Sequence, residues 1–141
     1  KMDIAVPANL VCGRPQKDEI PADEPTWAPL SFTFAGIWEL QPQWLEEHLS
    51  AAQILDVREP DEFDGPLGHI PGARLIPLGE LADRCGELDP ARPVVAVCRA
   101  GGRSAQATTI LRRAGFKAVA NLAGGMLRWR AQHCIVEGGR D

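Results

Sequence analysis

The chain has 141 residues, of which 45% are hydrophobic and 24% are charged, a composition typical of one globular domain with some additional chain. Its formal net charge of −4 argues against a nucleic-acid partner, because no surplus of basic residues is present to bind phosphates. The apolar runs are too short to span a membrane, and the N-terminus lacks the apolar region of a signal peptide, so we expect a cytoplasmic protein.

The N-terminal segment, residues 1–33, contains several prolines and many charges without hydrophobic periodicity, which indicates an arm or linker. Because the chain begins with Lys1 rather than methionine, we expect it to be a fragment of a longer protein or a processed product. Compact structure is expected from Phe34 onward, as a single domain over residues 34–141.

From Phe34 onward, short apolar runs alternate with amphipathic segments. The apolar runs predict strands within 36–40, 52–58, 74–78, 92–98 and 117–125. The amphipathic segments predict helices at 41–51, 79–88, 104–115 and 125–134. Residues 60–73 are rich in turn-forming residues. Strands that alternate with helices imply a mostly parallel sheet with helices on both faces.

Cys98 directly follows the clearest buried strand, at the carboxyl end, where open α/β sheets bind their ligands. The next residues supply two arginines, two glycines and a serine: Arg99, Arg103, Gly101, Gly102 and Ser104. The glycines let backbone N–H groups turn inward, and Ser104 is expected to cap the next helix. Such a cradle lowers the pKa of a thiol, so Cys98 is interpreted as a nucleophile rather than a packing residue.

The other cysteines and the histidines are scattered along the chain. They are Cys12, Cys85, Cys134, His48, His69 and His133. This spacing matches neither a redox pair nor a zinc motif, so we expect no metal site in this chain. Disulfides are not expected either, and the three remaining cysteines are interpreted as inert thiols.

Three kinds of chemistry are compatible with a nucleophilic Cys98. A cysteine protease needs a base, and His69, the one candidate nearby, lies in a turn-like segment. A cysteine phosphatase loop places five residues between its cysteine and arginine, whereas four separate Cys98 from Arg103. Sulfur transfer fits better, because sulfite leaves thiosulfate as a stable anion and needs no proton.

Three stretches of the chain resemble the signatures of the rhodanese family of sulfurtransferases. They are CRAGGRS (98–104), the segment from LDVREPDEF to GHIPGARLIPL (55–78) and NLAGGMLRW (121–129). The first resembles the six-residue active-site loop from Cys98 to Arg103, and the match covers about residues 34–137. One departure is DGPLGH, which places more residues than usual between Phe63 and His69.

This resemblance implies a rhodanese-like α/β fold, with a central five-stranded parallel sheet flanked by helices on both faces. It implies that Cys98 is the catalytic residue and carries a persulfide between two half-reactions. The implied substrate-binding residues are Arg99, Ala100, Gly101, Gly102, Arg103, Ser104 and Arg58. Asp56 is expected to support the loop, and an Asp56–Arg58 ion pair is the alternative to substrate contact by Arg58.

Two functions from different classes remain open. In the first, the domain is a thiosulfate sulfurtransferase, and the charge of Arg99 favours thiosulfate over mercaptopyruvate as the donor. In the second, it is a non-catalytic module for docking or for redox sensing through Cys98. The acceptor also stays open among glutathione, cyanide, thioredoxin and another protein thiol.

A second resemblance lies at the N-terminus. The stretch MDIAVPANLVCG (residues 2–13) is similar to the C-terminal tail of persulfide dioxygenases, which are iron enzymes of the metallo-β-lactamase fold. It implies that residues 1–13 end such a domain and that the chain is the rhodanese part of a fusion protein. A non-haem iron is then expected only in the missing domain, with no cofactor in this chain. The expected small-molecule partners are thiosulfate, glutathione and glutathione persulfide.

Overall fold

The computed structural model describes residues 25–140, within which one six-stranded mixed sheet carries helices on both faces. Its strands are β1 (Ser31–Phe32), β2 (Trp38–Leu40), β3 (Gln53–Asp56), β4 (Arg74–Leu75), β5 (Val94–Val97) and β6 (Val119–Leu122). Its α-helices are α1 (Pro42–Glu47), α2 (Pro60–Phe63), α3 (Leu78–Arg84), α4 (Gly102–Arg113) and α5 (Gly125–Ala131). Short 3₁₀ turns, Leu49–Ala51 and Cys85–Glu87, come shortly after α1 and α3.

The strand order is β1-β2-β6-β5-β3-β4, and the strands from β2 to β6 are paired in parallel. This confirms the α/β architecture with a five-stranded parallel sheet. The sequence analysis missed β1, which pairs antiparallel with β2 at the edge of the sheet. A two-residue strand is too short to show the alternation of polar and apolar residues by which strands are recognised.

The compact unit begins before the predicted boundary at Phe34. Strand β1 precedes that residue, and the side chains of Trp27 and Leu30 pack against a buried cluster beside α1. Phe34 itself is fully exposed in the turn between β1 and β2. The prediction for residues 1–13 lies outside the described residues.

Two apolar clusters, one on each face of the sheet, hold the helices in place. Leu81 of α3 and Leu111 of α4 belong to one cluster, and Leu45 of α1 and Trp129 of α5 belong to the other. Side chains of β5 alternate between the clusters because successive residues of a strand point to opposite faces. All four β5 residues are fully buried, and burial of each valine stabilises the fold by roughly 1.5–3 kcal/mol.

The start of α4 differs from the prediction. Gly101, in the left-handed region with φ of +114°, caps the helix, and Ser104 lies inside the first turn. The hydroxyl of Ser104 is therefore free for a different role from capping, described below. At the other end, Gly115 adopts a φ of +103° just after the C-cap Ala114, in agreement with the predicted stop.

Three further features bear on the sequence predictions. The turn-rich region contains α2, which a reciprocal capping box between Glu59 and Glu62 stabilises. Cys85 is disulfide-bonded, so two predictions are wrong, the absence of disulfides and the interpretation of Cys85 as an inert thiol. Across the part of the chain that the structure describes, the helices are too short or too polar to cross a bilayer.

Candidate active site

The Cys98 thiol sits in a ring of hydrogen-bond donors at the carboxyl end of β5. The backbone N–H of Gly101 donates to Sγ over 3.0 Å, and the Ser104 hydroxyl oxygen lies 3.2 Å from Sγ. The backbone N–H groups of Ala100 and Ser104 also help to lower the pKa of the thiol. The structure thus brings together Cys98 and the loop residues that the sequence analysis singled out around it.

This environment lowers the pKa of the Cys98 thiol below its ordinary value. Burial alone raises the pKa, because it penalises the charged thiolate. The hydrogen bond from the Ser104 side chain and the three backbone N–H groups stabilise the thiolate and outweigh that penalty. The thiolate is the nucleophilic form, so the loop favours the reactive state.

The start of α5 fixes the back of the loop. The backbone N–H groups of Met126 and Leu127 donate to the carbonyls of Cys98 and Arg99 over 2.8 and 3.0 Å. Gly125 has a φ of +57°, and a Cβ atom at this position would lie 2.6 Å from the Arg99 carbonyl oxygen. A glycine is required here, because any side chain would push the active-site loop away from α5.

Arg103 does not point freely at the thiol. Its two terminal nitrogens donate to both carboxylate oxygens of Glu62 on α2, over 2.6 and 2.9 Å. This pair lowers the pKa of Glu62 to about 2, chiefly through the hydrogen bonds from Arg103, and raises the pKa of Arg103. The sequence analysis missed Glu62, although it belongs to the stretch that carries the family resemblance.

Arg99 is the open cation of the site. Its side chain is exposed, and no hydrogen-bonding or ionic partner of its guanidinium occurs among residues 25–140. Ala100 and Gly102 are exposed as well, and a Cβ atom on Gly102 would meet nothing within 4 Å. The outer side of the loop is therefore open, with one unpaired positive charge beside it.

Arg58 is buried beneath the site, with 1% of its side chain exposed. Its guanidinium donates to both carboxylate oxygens of Asp56 and to the carbonyls of Glu62 and Gly68. The assignment of Arg58 to the substrate-binding residues is therefore corrected, because its donors are engaged in the interior. The alternative, a structural ion pair with Asp56, fits the geometry, and it braces α2 and the following loop.

Asn121 was not predicted as part of the site, yet its side chain contacts the loop. Its Nδ2 donates to the Gly101 carbonyl over 3.2 Å, and its Oδ1 accepts a hydrogen bond from the Ser104 hydroxyl. A signal was present in the sequence, because an asparagine interrupts the otherwise apolar strand Val119–Leu122. Buried polar side chains require partners, and here the partners belong to the active-site loop.

The loop at the end of the central strand, closed by the turn before α5, matches a known family. Residues 41–132 fit the family model described as "Rhodanese-like domain". The chain belongs to the rhodanese-like domain family. The three stretches that carried the resemblance in the sequence thus form one site in the rhodanese-like fold.

Curated relatives of this rhodanese-like domain include sulfur-handling proteins. The thiosulfate sulfurtransferase GlpE of Pseudomonas aeruginosa is 36% identical over 102 residues, which cover 72% of this chain and 89% of GlpE. The putative sulfur carrier protein YrkF of Bacillus subtilis is 42% identical over 76 residues, which cover 54% of this chain and 40% of YrkF. These relatives support a general role in sulfur transfer.

Two further matches describe the length and the fold. The Bacillus subtilis protein YqhL is 46% identical over 78 residues, which cover 55% of this chain and 60% of YqhL. The chain thus spans less than two thirds of YqhL and of YrkF. The solution structure of an Anabaena rhodanese-like domain superposes with a TM-score of 0.64 at 32% identity, covering 71% of this chain and 78% of that one.

Proposed function

We propose that this rhodanese-like domain is a thiosulfate sulfurtransferase that carries sulfane sulfur on Cys98. The observation that carries the proposal is the ring of donors around the Sγ atom, which includes the Gly101 N–H at 3.0 Å. Such a ring stabilises negative charge on sulfur both before and after transfer. Sulfur transfer is a reaction in which charge stays on sulfur throughout.

Two steps would complete the cycle. In the first, the Cys98 thiolate attacks the outer sulfur of thiosulfate, and the electron pair of the broken S–S bond leaves with sulfite. In the second, an acceptor thiolate attacks the outer sulfur of the Cys98 persulfide, and the electron pair of the Sγ–S bond returns to Sγ. The protein supplies positioning and hydrogen bonds, and neither step requires a proton at the leaving atom.

The histidine nearest to the site in sequence is engaged elsewhere. The His69 ring stacks on Phe63 with a centroid distance of 3.8 Å, and its nitrogens contact the Phe63 carbonyl and the Glu137 carboxylate. This arrangement supports chemistry without a general base over cysteine-protease chemistry. The open charge of Arg99 supports an anionic donor such as thiosulfate.

For the acceptor, we propose a small thiol, with glutathione as the candidate. The motivation is the resemblance of residues 1–13 to the tail of persulfide dioxygenases. A fused dioxygenase would share glutathione persulfide with this domain, because a rhodanese interconverts that persulfide plus sulfite with glutathione plus thiosulfate. Tethering would raise the local concentration of the shared intermediate. The iron would belong to the dioxygenase domain.

The lowered pKa of the Cys98 thiol suits a second candidate function as well, because the thiolate is also the form that oxidants attack. A module for redox sensing needs a thiolate that a small oxidant can reach. Such a module does not turn over a sulfur donor. The two functions differ in what happens to thiosulfate. A sensor does not release sulfite from it, whereas a sulfurtransferase releases one sulfite for each sulfur that it accepts.

The deciding experiment is the intact mass of the protein after incubation with thiosulfate and removal of the excess. We expect the mass of one added sulfur atom and one equivalent of released sulfite. Cys98→Ser should remain unmodified and keep its fold, because the change is nearly isosteric. Cys134→Ser, which alters the second free cysteine of residues 25–140, is the matched control and should gain the sulfur. Absence of the added sulfur from the unaltered protein would overturn the proposal.

Acceptors are then compared by sulfite release from thiosulfate with glutathione, cyanide and dihydrolipoate in competition. The proposal expects turnover with glutathione. If sulfur loading occurs but glutathione gives no turnover, the acceptor assignment is wrong and the loading step stands.

A further inference from the structure

A short chain of hydrogen bonds leads from the Cys98 thiol into the interior. The Ser104 hydroxyl contacts Cys98 Sγ at 3.2 Å on one side and Asn121 Oδ1 on the other. The three residues are 1%, 0% and 3% exposed in that order, so all three lie within the protein. In such a setting each proton has few alternative partners, and its position depends on the charge of its neighbours.

The orientation of the Asn121 amide follows from its partners. Nδ2 faces the Gly101 carbonyl, which accepts hydrogen bonds and cannot donate one. Oδ1 therefore faces Ser104, and this oxygen only accepts. Any hydrogen bond between these two side chains is consequently donated by the Ser104 hydroxyl.

Ser104 carries one hydroxyl proton and has two acceptors within reach. When Sγ is an anion, it is the stronger acceptor, and the Ser104 hydroxyl donates its proton to Sγ. When Sγ is uncharged, as in a thiol or in the inner atom of a persulfide, Asn121 Oδ1 is the stronger acceptor. The hydroxyl thus has two arrangements, and the charge on Sγ selects between them.

We propose that Asn121 is a positioning residue that accepts the Ser104 proton while Sγ is uncharged and releases it to Sγ as Sγ becomes anionic. The side chain touches neither the sulfur nor a substrate and acts through Ser104. Its bond to the Gly101 carbonyl keeps Oδ1 aimed at the hydroxyl, whichever arrangement Ser104 adopts.

The consequence for catalysis rests on the proposed sulfurtransferase function. When the Cys98 thiolate takes sulfur from thiosulfate, negative charge moves from Sγ to the outer sulfur, and the Ser104 proton turns to Asn121. When an acceptor thiolate removes the outer sulfur, the electron pair returns to Sγ, and the proton turns back to it. The leaving Sγ atom therefore gains a donor at the moment when its charge develops.

Charged groups from several elements surround the thiol, and a neutral substitution at Asn121 leaves all of them in place. They are Arg99 in the loop, Arg103 on α4, Glu62 on α2, and Asp56 and Arg58 at the end of β3. His69, another titratable side chain, stacks on the ring of Phe63. The readout must therefore be specific to Cys98, and turnover alone would not be.

The test is the pH dependence of Cys98 alkylation by iodoacetamide, followed by the mass of the peptide that contains Cys98. In Asn121→Leu, the Ser104 hydroxyl proton loses the acceptor that competes with Sγ. The pKa of the Cys98 thiol should therefore fall by about half a unit to one unit, a shift that corresponds to the free energy of one neutral hydrogen bond. In Ser104→Ala the pKa should rise, because a donor to the thiolate is lost. In the double variant Ser104→Ala/Asn121→Leu, the fall caused by Asn121→Leu should disappear.

The sign of the shift separates positioning from a structural role. If Asn121 merely held the loop in place, its removal would weaken the Gly101 N–H bond to Sγ and raise the pKa. A raised or unchanged pKa in folded Asn121→Leu overturns the proposal. If that variant does not fold, Asn121→Ala replaces it in the single and double variants. The proposal is then overturned if the substitutions at positions 121 and 104 change the Cys98 pKa independently of each other. Alkylation needs no sulfur donor, so this outcome does not depend on the proposed function.

Discussion

The two arginines of the active-site loop differ in how their charges are used. Arg99 is exposed and without an ionic partner in the described chain, whereas Arg103 is paired with Glu62 at 2.6 and 2.9 Å. The sequence CRAGGR predicted that both arginines face the substrate. A sequence shows which charged residues are present, but it does not show which of them are paired with an opposite charge in the fold. The two residues should therefore fail in different ways when they are replaced.

Arg99→Ala should raise the KM for thiosulfate about threefold to tenfold with little change in kcat, because an exposed charge contributes roughly 1 kcal/mol to binding an anion. The measurement is steady-state kinetics of sulfite release. Lys117→Ala is the matched control, since it removes an exposed charge that precedes β6, at the end of the sheet away from the active-site loop. An unchanged KM in Arg99→Ala would remove this residue from the donor site.

Arg103→Ala should lower kcat/KM for thiosulfate more than Arg99→Ala does, by at least about tenfold, because it removes a cation from the active-site loop and leaves its partner carboxylate, Glu62, unpaired. Replacing the carboxylate as well, in Arg103→Ala/Glu62→Gln, should restore part of the loss. If the double variant is no better than the single one, the damage comes from loop geometry rather than from charge.

At the scale of elements, the contact between α5 and the loop after β5 places a strict demand on Gly125. Gly125→Ala combines a φ of +57° with a Cβ atom too close to the carbonyl oxygens of Cys98 and Arg99. We expect a loss of about 2 kcal/mol or more in the free energy of unfolding, measured by urea denaturation.

Gly79→Ala is the matched control for this prediction, because a Cβ atom there meets nothing within 4 Å and the residue lies in α3. It should leave stability unchanged or raise it by up to about 1 kcal/mol through helix propensity. Equal losses in the two variants would contradict the role assigned to Gly125.

The ion pair between α2 and α4 should make stability depend on pH in acid. The pKa of Glu62 falls from 4.5 to about 2 on folding, so the stabilisation is fully present above pH 4.5 and is lost as the pH falls toward 2. The difference in Tm between the unaltered protein and Glu62→Gln should therefore be constant near neutrality and shrink below pH 4.5. A difference that does not change between these pH values would show that the pair does not stabilise the fold.

The pattern of hydrophobic residues predicted the helices and strands well where a segment was long and followed a single periodicity. The uninterrupted apolar run of β5 located Cys98, and Gly115 marked the end of α4. Two short elements, β1 and α2, were missed because neither is long enough to show a period. Ser104 was expected to cap α4, but Gly101 takes that position because its left-handed conformation turns the loop around the thiol.

Contacts distant in sequence account for what could not be predicted about the site. Glu62 and Arg103 are 41 residues apart, and Ser104 and Asn121 are 17 apart. The strand order brings these residues together, and periodicity contains no information about the register of one strand against another. Asn121 was visible as an anomaly in β6, but its role depends on β6 lying beside β5.

At the scale of the whole molecule, the alternation of strands and helices was sufficient to predict the parallel sheet and its two covered faces. The order of the strands depends on distant pairings, such as that of β2 with β6, whose residues are more than 75 positions apart. The sulfur chemistry came from the residues after β5, and the same sheet without Cys98 and its loop would not support it.

The pairing of Arg103 with Glu62 also determines how the protein should respond to ionic strength. Under the proposed function, a dianionic donor such as thiosulfate approaches a chain of net charge −4 and meets Arg99, which has no ionic partner among residues 25–140, at the mouth of the loop. The attraction of the donor to Arg99 at short range and its repulsion by the negative chain at long range then largely cancel. Added salt weakens the long-range repulsion in particular, since charges are screened beyond about 10 Å at 0.1 M salt. The rate of sulfur loading from thiosulfate should change less than about threefold between low salt and about 0.3 M salt. Glu62→Gln, which uncovers Arg103, should load faster at low salt and slow markedly as salt is added.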